Sequence, residues 1–168
     1  MTVTIGRREL LVALSGAAAW PLAARAQQPE RVRRIDIMSG VRESDPDAMA
    51  RYTALRQVLQ QLGWSEGRNI RFDYRFGMAG NRDLMRKYVA ELIALQPDVI
   101  LAAGTPTVGA LQSATRTVPI VFAGIIDPVG SGLVASLARP GGNTTGFISY
   151  EYGLSVKWLE LLKRLPQP

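Results

Sequence analysis

Apolar and polar residues alternate with two different periods along the chain from Arg33 onward. Short apolar runs typical of β-strands are separated by segments in which apolar residues recur every three to four positions, as they do on one face of a helix. The predicted strands are residues 35–38, 70–76, 99–103, 120–123 and 145–149. The predicted helices are residues 48–62, 81–95, 107–115, 131–138 and 153–165. This alternation of strands and helices predicts an α/β fold with a parallel sheet.

The composition of the strands predicts their position in the sheet. Residues 99–103 and 120–123 are continuously apolar, which is expected of central strands that are buried on both faces. Residues 70–76 alternate between apolar and polar positions, which favours an edge strand with one face toward solvent. We therefore predict a flavodoxin-like sheet of five parallel strands in the order 2-1-3-4-5, with helices on both faces. Sheets of this kind bind ligands beyond the carboxyl ends of their strands, near the point where strand order reverses.

Three loops that follow predicted strands contain a helix-capping residue and then proline: Asp45-Pro46, Thr105-Pro106 and Asp127-Pro128. Each pair predicts the start of a helix, and capping alone explains any one of them. Because all three helices would begin at the same edge of the sheet, their exposed amides would also form a site for a small anion such as a carboxylate. The carboxylate of Asp127 would pair with an ammonium group instead, so the combination suits a zwitterion.

Other residues at this edge complete the predicted ligand-binding set. Gly104 allows the backbone to approach a ligand closely and Thr105 adds a hydroxyl group. Ser39 and Gly40 follow the first strand and would contribute a hydroxyl group and a close backbone approach. A simple strand-ending turn explains these two residues equally well. The predicted ligand-binding residues are Ser39, Gly40, Gly104, Thr105, Pro106, Asp127, Pro128, Tyr150 and Glu151.

The composition excludes several kinds of chemistry. The 168 residues include no cysteine and no histidine, so zinc sites of the Cys/His type, thiol nucleophiles and Ser-His arrangements are absent. There is also no glycine-rich phosphate-binding motif, and we predict neither a cofactor nor a metal. Two alternatives to simple binding stay open: an enzyme that uses Asp127 and Glu151 for acid–base catalysis, and the effector-binding core of a regulator. Turnover of a small molecule would identify the enzyme.

The first 26 residues have the pattern of an export signal. Arg7 and Arg8 precede an apolar stretch over residues 10–19, and Ala24 and Ala26 supply a small-residue cleavage site. The paired arginines fit a twin-arginine signal. The apolar stretch is shorter than the roughly 20 residues that span a bilayer, so we expect cleavage after Ala26 and export to the periplasm, without stable membrane insertion.

The chain carries a net charge of +6. Removal of the export signal would lower this charge, because the signal contains three arginines and one glutamate. The remaining arginines are not interleaved with aromatic residues on a strand, so we do not predict nucleic-acid binding.

Several motifs along the chain are specific enough to indicate a family. They are residues 118–122 (VPIVF), 127–129 (DPV), 132–134 (GLV), 136–143 (SLARPGGN) and 145–146 (TG), with residues 7–9 (RRE) and 18–28 (AAWPLAARAQQ) upstream. With these motifs the chain resembles the substrate-binding proteins of ABC transporters, of the tryptophan/tyrosine-binding type. The resemblance implies a type I periplasmic binding protein that delivers a small solute, often an aromatic amino acid, to a membrane permease and its ATPase. It also implies that residues 104–106 and 127–128 belong to the ligand cleft.

The chain departs from this family in length. Members have a second lobe after the helix predicted at residues 153–165, whereas this sequence stops at Pro168. We therefore expect residues 27–168 to form the N-terminal lobe alone. Loss of half the ligand contacts would reduce a micromolar affinity, about −8 kcal/mol, to a millimolar one, about −4 kcal/mol. The helix at residues 153–165 would then expose an apolar face.

Overall fold

The structure, a computed structural model, describes residues 31–150 and 152–164. The described part contains five strands and four helices. The strands are β1 (Arg33–Ser39), β2 (Ile70–Arg75), β3 (Val99–Ala103), β4 (Ile120–Ile126) and β5 (Thr144–Tyr150). The helices are α1 (Pro46–Gln61), α2 (Arg82–Ala94), α3 (Thr105–Ala114) and α4 (Tyr152–Lys163). All strands are parallel and lie in the order β2-β1-β3-β4-β5, which confirms the predicted topology.

One face of the sheet forms the larger core beneath α2 and α3. Met38 pairs with Ala102, which pairs in turn with Phe122, so these three side chains lie side by side on this face. Leu92 of α2 and Leu111 of α3 pack in the same cluster, and both are fully buried. The continuous apolar runs of β3 and β4 therefore lie at the centre of the sheet, as predicted.

The opposite face of β1 and β2 packs against α1. Tyr52, Leu55 and Leu59 lie at helical spacing on α1 and are partly buried against this smaller core. Leu62 follows the end of α1 and is 68% exposed, although the predicted helix included it.

The helix predicted at residues 131–138 is wrong. In the structure this segment belongs to an irregular connection between β4 and β5. Gly132 adopts a φ of 69°, which is outside the helical region. A helix beginning at residue 131 would pair the Ala135 amide with the Ser131 carbonyl, but this amide donates to the Pro140 carbonyl at 2.8 Å. The side chains of Leu133 and Val134 are buried, so the loop packs on the core through the residues that suggested a helix.

The last helix, α4, presents apolar side chains to solvent. Val156, Trp158, Leu159, Leu161 and Leu162 are each more than half exposed, which confirms the predicted apolar face. Within the described residues, no helix combines the length and the hydropathy that a bilayer span requires.

Candidate ligand-binding site

The carboxyl ends of β1 and β3 form the centre of the candidate site. These strands are neighbours, but the chain leaves β1 toward β2 on one side and leaves β3 toward β4 on the other. This is the switch point at which open parallel sheets bind ligands. Ser39 pairs with Ala103, so the predicted residues Ser39 and Gly40 lie beside Gly104 and Thr105.

The N-terminus of α3 differs from those of α1 and α2. Asp45 caps α1 by accepting a hydrogen bond from the Ala48 amide at 2.9 Å, as predicted, and Asn81 caps α2 through the Leu84 amide at 2.9 Å. The N-cap of α3 is Gly104, and no side chain caps this helix. This end of α3 is therefore open to an external acceptor.

The prediction that Thr105 caps α3 is wrong by one residue. Gly104 has a φ of 93°, which turns the chain sharply enough for the helix to begin at Thr105. The Gly104 carbonyl accepts the amides of Thr107 at 3.1 Å and Val108 at 3.2 Å, and Pro106 has no N–H. The donors that this helix end presents are thus the amide and hydroxyl groups of Thr105.

Asp127 closes a turn instead of starting the predicted helix at Asp127-Pro128. Its Oδ1 accepts a hydrogen bond from the Gly130 amide at 2.7 Å, and its carbonyl accepts one from the Ser131 amide at 3.0 Å. Asp127 has a φ of 50°, an uncommon value for a residue with a side chain. The carboxylate is exposed, and among the described residues nothing donates a hydrogen bond to Oδ2. Pro128 is buried, so it supports the loop beneath the carboxylate.

The candidate residues after β3 and those after β4 lie at the same edge of the sheet, but at different positions along the strand direction. Ala103 ends β3 in register with Ala123, whereas β4 continues for three more residues to Ile126. Asp127 therefore follows a strand that projects roughly 10 Å past this register. The backbone of Tyr150 pairs with Ile126 at the same end. The side chain of Tyr150 and the whole of Glu151 lie outside the described residues.

The loop that follows β2 also lies at this edge, and its residues were not among the predicted ligand-binding residues. The amide of Gly77 donates to the Val41 carbonyl at 2.7 Å, and the amide of Ala79 donates to the Gly40 carbonyl at 3.3 Å. A side chain at Gly40 would meet the Ala79 side chain at 3.4 Å. Gly77 has a φ of 77°, and its position directly after a predicted strand was the available signal for a tight turn.

Aromatic side chains cluster where β2 ends. The ring of Phe76 lies 5.4 Å from that of Tyr52 on α1 and 5.7 Å from that of Tyr74, measured between centroids. Tyr52 and Phe76 are only partly buried, so this end of the sheet carries accessible aromatic surface. Among the described residues, no group of three or more acidic side chains is arranged to hold a metal ion.

Comparison with protein families and curated proteins gives consistent matches. A family model described as ABC transporter substrate binding protein matches residues 36–166. The chain is 36% identical over 113 residues to a tyrosine-binding protein of Clostridioides difficile (strain R20291), a match that covers 65% of this chain and 31% of that protein.

Solved structures show the same similarity. An ABC domain from Streptococcus pneumonia in complex with L-Trp is 28% identical with a TM-score of 0.61, and the match covers 69% of this chain and 38% of that one. A conserved domain protein from Vibrio cholerae is 34% identical with a TM-score of 0.69 (79% and 43% coverage). A ligand-free, open substrate binding protein with adhesive properties from Clostridium difficile is 31% identical with a TM-score of 0.62 (79% and 43% coverage). The chain thus spans less than half the length of each of these relatives.

Proposed function

Because the chain belongs to the ABC transporter substrate binding protein family, we propose that it is the solute-binding component of an ABC importer and binds an aromatic amino acid at the carboxyl edge of its sheet. Two relatives support the ligand class: one is named for tyrosine binding, and another was crystallised with L-Trp. The accessible rings of Tyr52 and Phe76 at this end of the sheet are compatible with an aromatic ligand.

The observation that carries this proposal is the open N-terminus of α3 at the switch point. The carboxylate of the ligand accepts hydrogen bonds from the amide and hydroxyl groups of Thr105, and the helix dipole adds a favourable field. The Asp127 carboxylate, whose Oδ1 is held by the Gly130 amide, lies at the outer rim of the same edge and attracts the ammonium end of the ligand through its charge. Ser39 and Gly40 form the neighbouring wall, where the glycine allows close contact.

The same proposal includes location and partners. Residues 1–26 direct export to the periplasm, and the protein delivers its solute to a permease with an associated ATPase. The pattern of the first 26 residues and the family of the chain support this role. Both also favour binding over the two alternatives, an acid–base enzyme and a regulator core. Consumption of an amino acid by the purified protein would contradict the binding role.

A titration monitored by amide NMR tests the site directly. L-Trp is expected to shift the amide resonances of Gly104 and Thr105, and the dependence of these shifts on L-Trp concentration gives the dissociation constant. Tryptamine, which lacks the carboxylate, is expected to leave both resonances in place. Thr105→Val keeps the shape of the side chain but removes the hydroxyl group, so L-Trp should bind several-fold more weakly.

The matched control is Ser113→Ala at the other end of α3. The Ser113 hydroxyl donates to the Gly109 carbonyl within the helix, so its loss should leave L-Trp affinity unchanged. Equal effects of L-Trp and tryptamine on the Gly104 and Thr105 amides, or an unchanged affinity in Thr105→Val, would rule out the proposed carboxylate site.

A further inference from the structure

A cavity lies at the opposite edge of the sheet, where α1 ends and β2 begins. Its volume is about 330 Å³, within the range of pockets that hold small molecules. Ile70, the first residue of β2, and Phe72 contribute to its lining, together with Trp64 from the preceding loop and the charged residues Arg56 and Glu66. It is distinct from the candidate amino-acid site, which lies at the carboxyl ends of the strands.

Apolar side chains form part of the cavity wall, between the polar and charged residues that line the rest of it. Ile70 is 2% exposed and Phe72 is 7% exposed, so both belong to the core and are held in place by it. Trp64 is 39% exposed and adds an indole surface. An apolar surface of this kind in a concave site favours a ligand with an aryl or branched alkyl body.

The loop that carries Trp64 is fixed by hydrogen bonds. Asn69 accepts the Ser65 amide at 2.7 Å through Oδ1 and donates to the Gly63 carbonyl at 3.0 Å through Nδ2. The amide of Trp64 donates to the Leu59 carbonyl at 2.9 Å. The cavity is therefore formed before a ligand arrives, which lowers the entropic cost of binding.

A buried polar group lies beside one of the residues that line the cavity. The Tyr74 hydroxyl is buried, and its neighbours include the Arg56 guanidinium. Burial raises the pKa of Tyr74, the charge of Arg56 lowers it, the charge of Glu66 raises it and a hydrogen bond to Arg56 lowers it, so both charged residues lie close to the hydroxyl. Arg56 forms no ion pair with another described residue. A guanidinium without a carboxylate partner, beside a buried hydroxyl, is a group that a bound anion would engage.

We propose that this cavity binds a small monocarboxylate with an aryl or branched alkyl body. The body packs on Ile70, Phe72 and Trp64, and the carboxylate accepts hydrogen bonds from the Arg56 guanidinium and the Tyr74 hydroxyl. Glu66 at the rim disfavours a second negative charge and so selects against dicarboxylates. This inference does not depend on the proposed transport function, because none of the residues proposed to contact the amino acid lines this cavity.

The test is a calorimetric titration of the full chain with phenylacetate, and with phenethylamine as the cationic counterpart. Phenylacetate is expected to bind and phenethylamine is not. Arg56→Gln should weaken phenylacetate binding by about tenfold or more, because it removes the charge, and Tyr74→Phe should weaken it several-fold. Quenching of tryptophan fluorescence by phenylacetate should be reduced in Trp64→Phe.

One control separates this site from other surfaces. Arg51→Gln removes an exposed arginine of α1 that does not line the cavity. It should not change phenylacetate affinity. The proposal is overturned if phenylacetate gives no heat at millimolar concentration, if phenethylamine binds as well, or if Arg56→Gln and Arg51→Gln have the same effect.

Discussion

The carboxyl group of Asp36 is expected to make folding stability depend on pH. Asp36 is fully buried in β1, and neither of its oxygens has a hydrogen-bond partner among the described residues. The nearest cation, Arg34, directs its Nε to Asp73 at 2.8 Å and lies 3.8 Å from Oδ1 of Asp36. Burial, and then the charge of Asp73, raise the pKa of Asp36 from its ordinary value of 3.8 to about 6, although Arg34, Arg75 and Arg71 partly offset this effect.

The sign and size of the effect follow from these two values. Because the folded state holds the proton more tightly than the unfolded state, the favourable contribution is fully present below about pH 4 and is lost as the pH rises through 6. A difference of about two pH units between the folded and unfolded pKa corresponds to about 3 kcal/mol. The charged form of Asp36 therefore costs the native state about 3 kcal/mol at neutral pH.

Asp36→Asn replaces the carboxyl group with a neutral group of the same shape. Urea denaturation between pH 4 and pH 8 measures the free energy of unfolding of both proteins. The stability of the variant relative to the original chain is expected to increase by about 3 kcal/mol across this range. Asp83→Asn, at an exposed position of α2, is the control and should show no such trend. A stability difference between Asp36→Asn and the original chain that is constant from pH 4 to pH 8, or that decreases, would refute the reasoning.

Two further substitutions test the loops that position the site. Gly130→Ala should destabilise the protein by about 1 kcal/mol in thermal unfolding, because its Cβ would displace the exposed Asp127 carboxylate and break its hydrogen bond with the Gly130 amide. Gly109→Ala, which meets nothing within 4 Å, should be neutral or stabilising by about 0.5–1 kcal/mol, and equal effects would contradict this account. Asn143→Ala should cost about 1–3 kcal/mol in chemical denaturation, because Asn143 donates to the Val118 carbonyl at 2.7 Å and ties β5 to the start of β4, and an unchanged unfolding midpoint would show that this bond is not needed.

The strand order could be predicted from the sequence because the residue types of each strand indicate whether one or both of its faces are buried. β3 and β4 are apolar throughout, and β2 alternates, so only an arrangement with β2 at the edge satisfies both. The failure at residues 131–138 has an equally local cause. Leu133 and Val134 are buried as core residues, but the Ala135 amide binds the Pro140 carbonyl instead of the Ser131 carbonyl that a helix would require. Apolar spacing alone does not show which acceptor an amide will find.

The edge of the sheet at which the candidate site lies could be predicted from the sequence, but the hydrogen bonds of its residues could not. The position of Gly104 and Thr105 after a central strand was enough to place them at the carboxyl edge. The residue that starts α3 depends on the φ of Gly104, and the role of Asp127 depends on the amide of Gly130; neither is visible in residue types alone. The lack of a hydrogen-bond partner for the Asp36 carboxyl group could not be predicted either, because it depends on the pairing of Arg34 with Asp73 on the neighbouring strand.

At the carboxyl edge of the sheet, α1 and α2 begin with a capping side chain, whereas α3 does not. Asp45 and Asn81 satisfy amides of α1 and α2 within the chain, so those two helix ends have little to offer an anion. At α3 the chain has a glycine at the capping position, in a backbone conformation that disfavours the usual capping side chains. The missing cap reduces the stability of α3, which starts at the switch point of the sheet, whereas α1 and α2 are both capped. Under the proposed function, a ligand carboxylate that supplies the missing acceptor there would stabilise the fold by an amount that rises with the logarithm of ligand concentration relative to its dissociation constant.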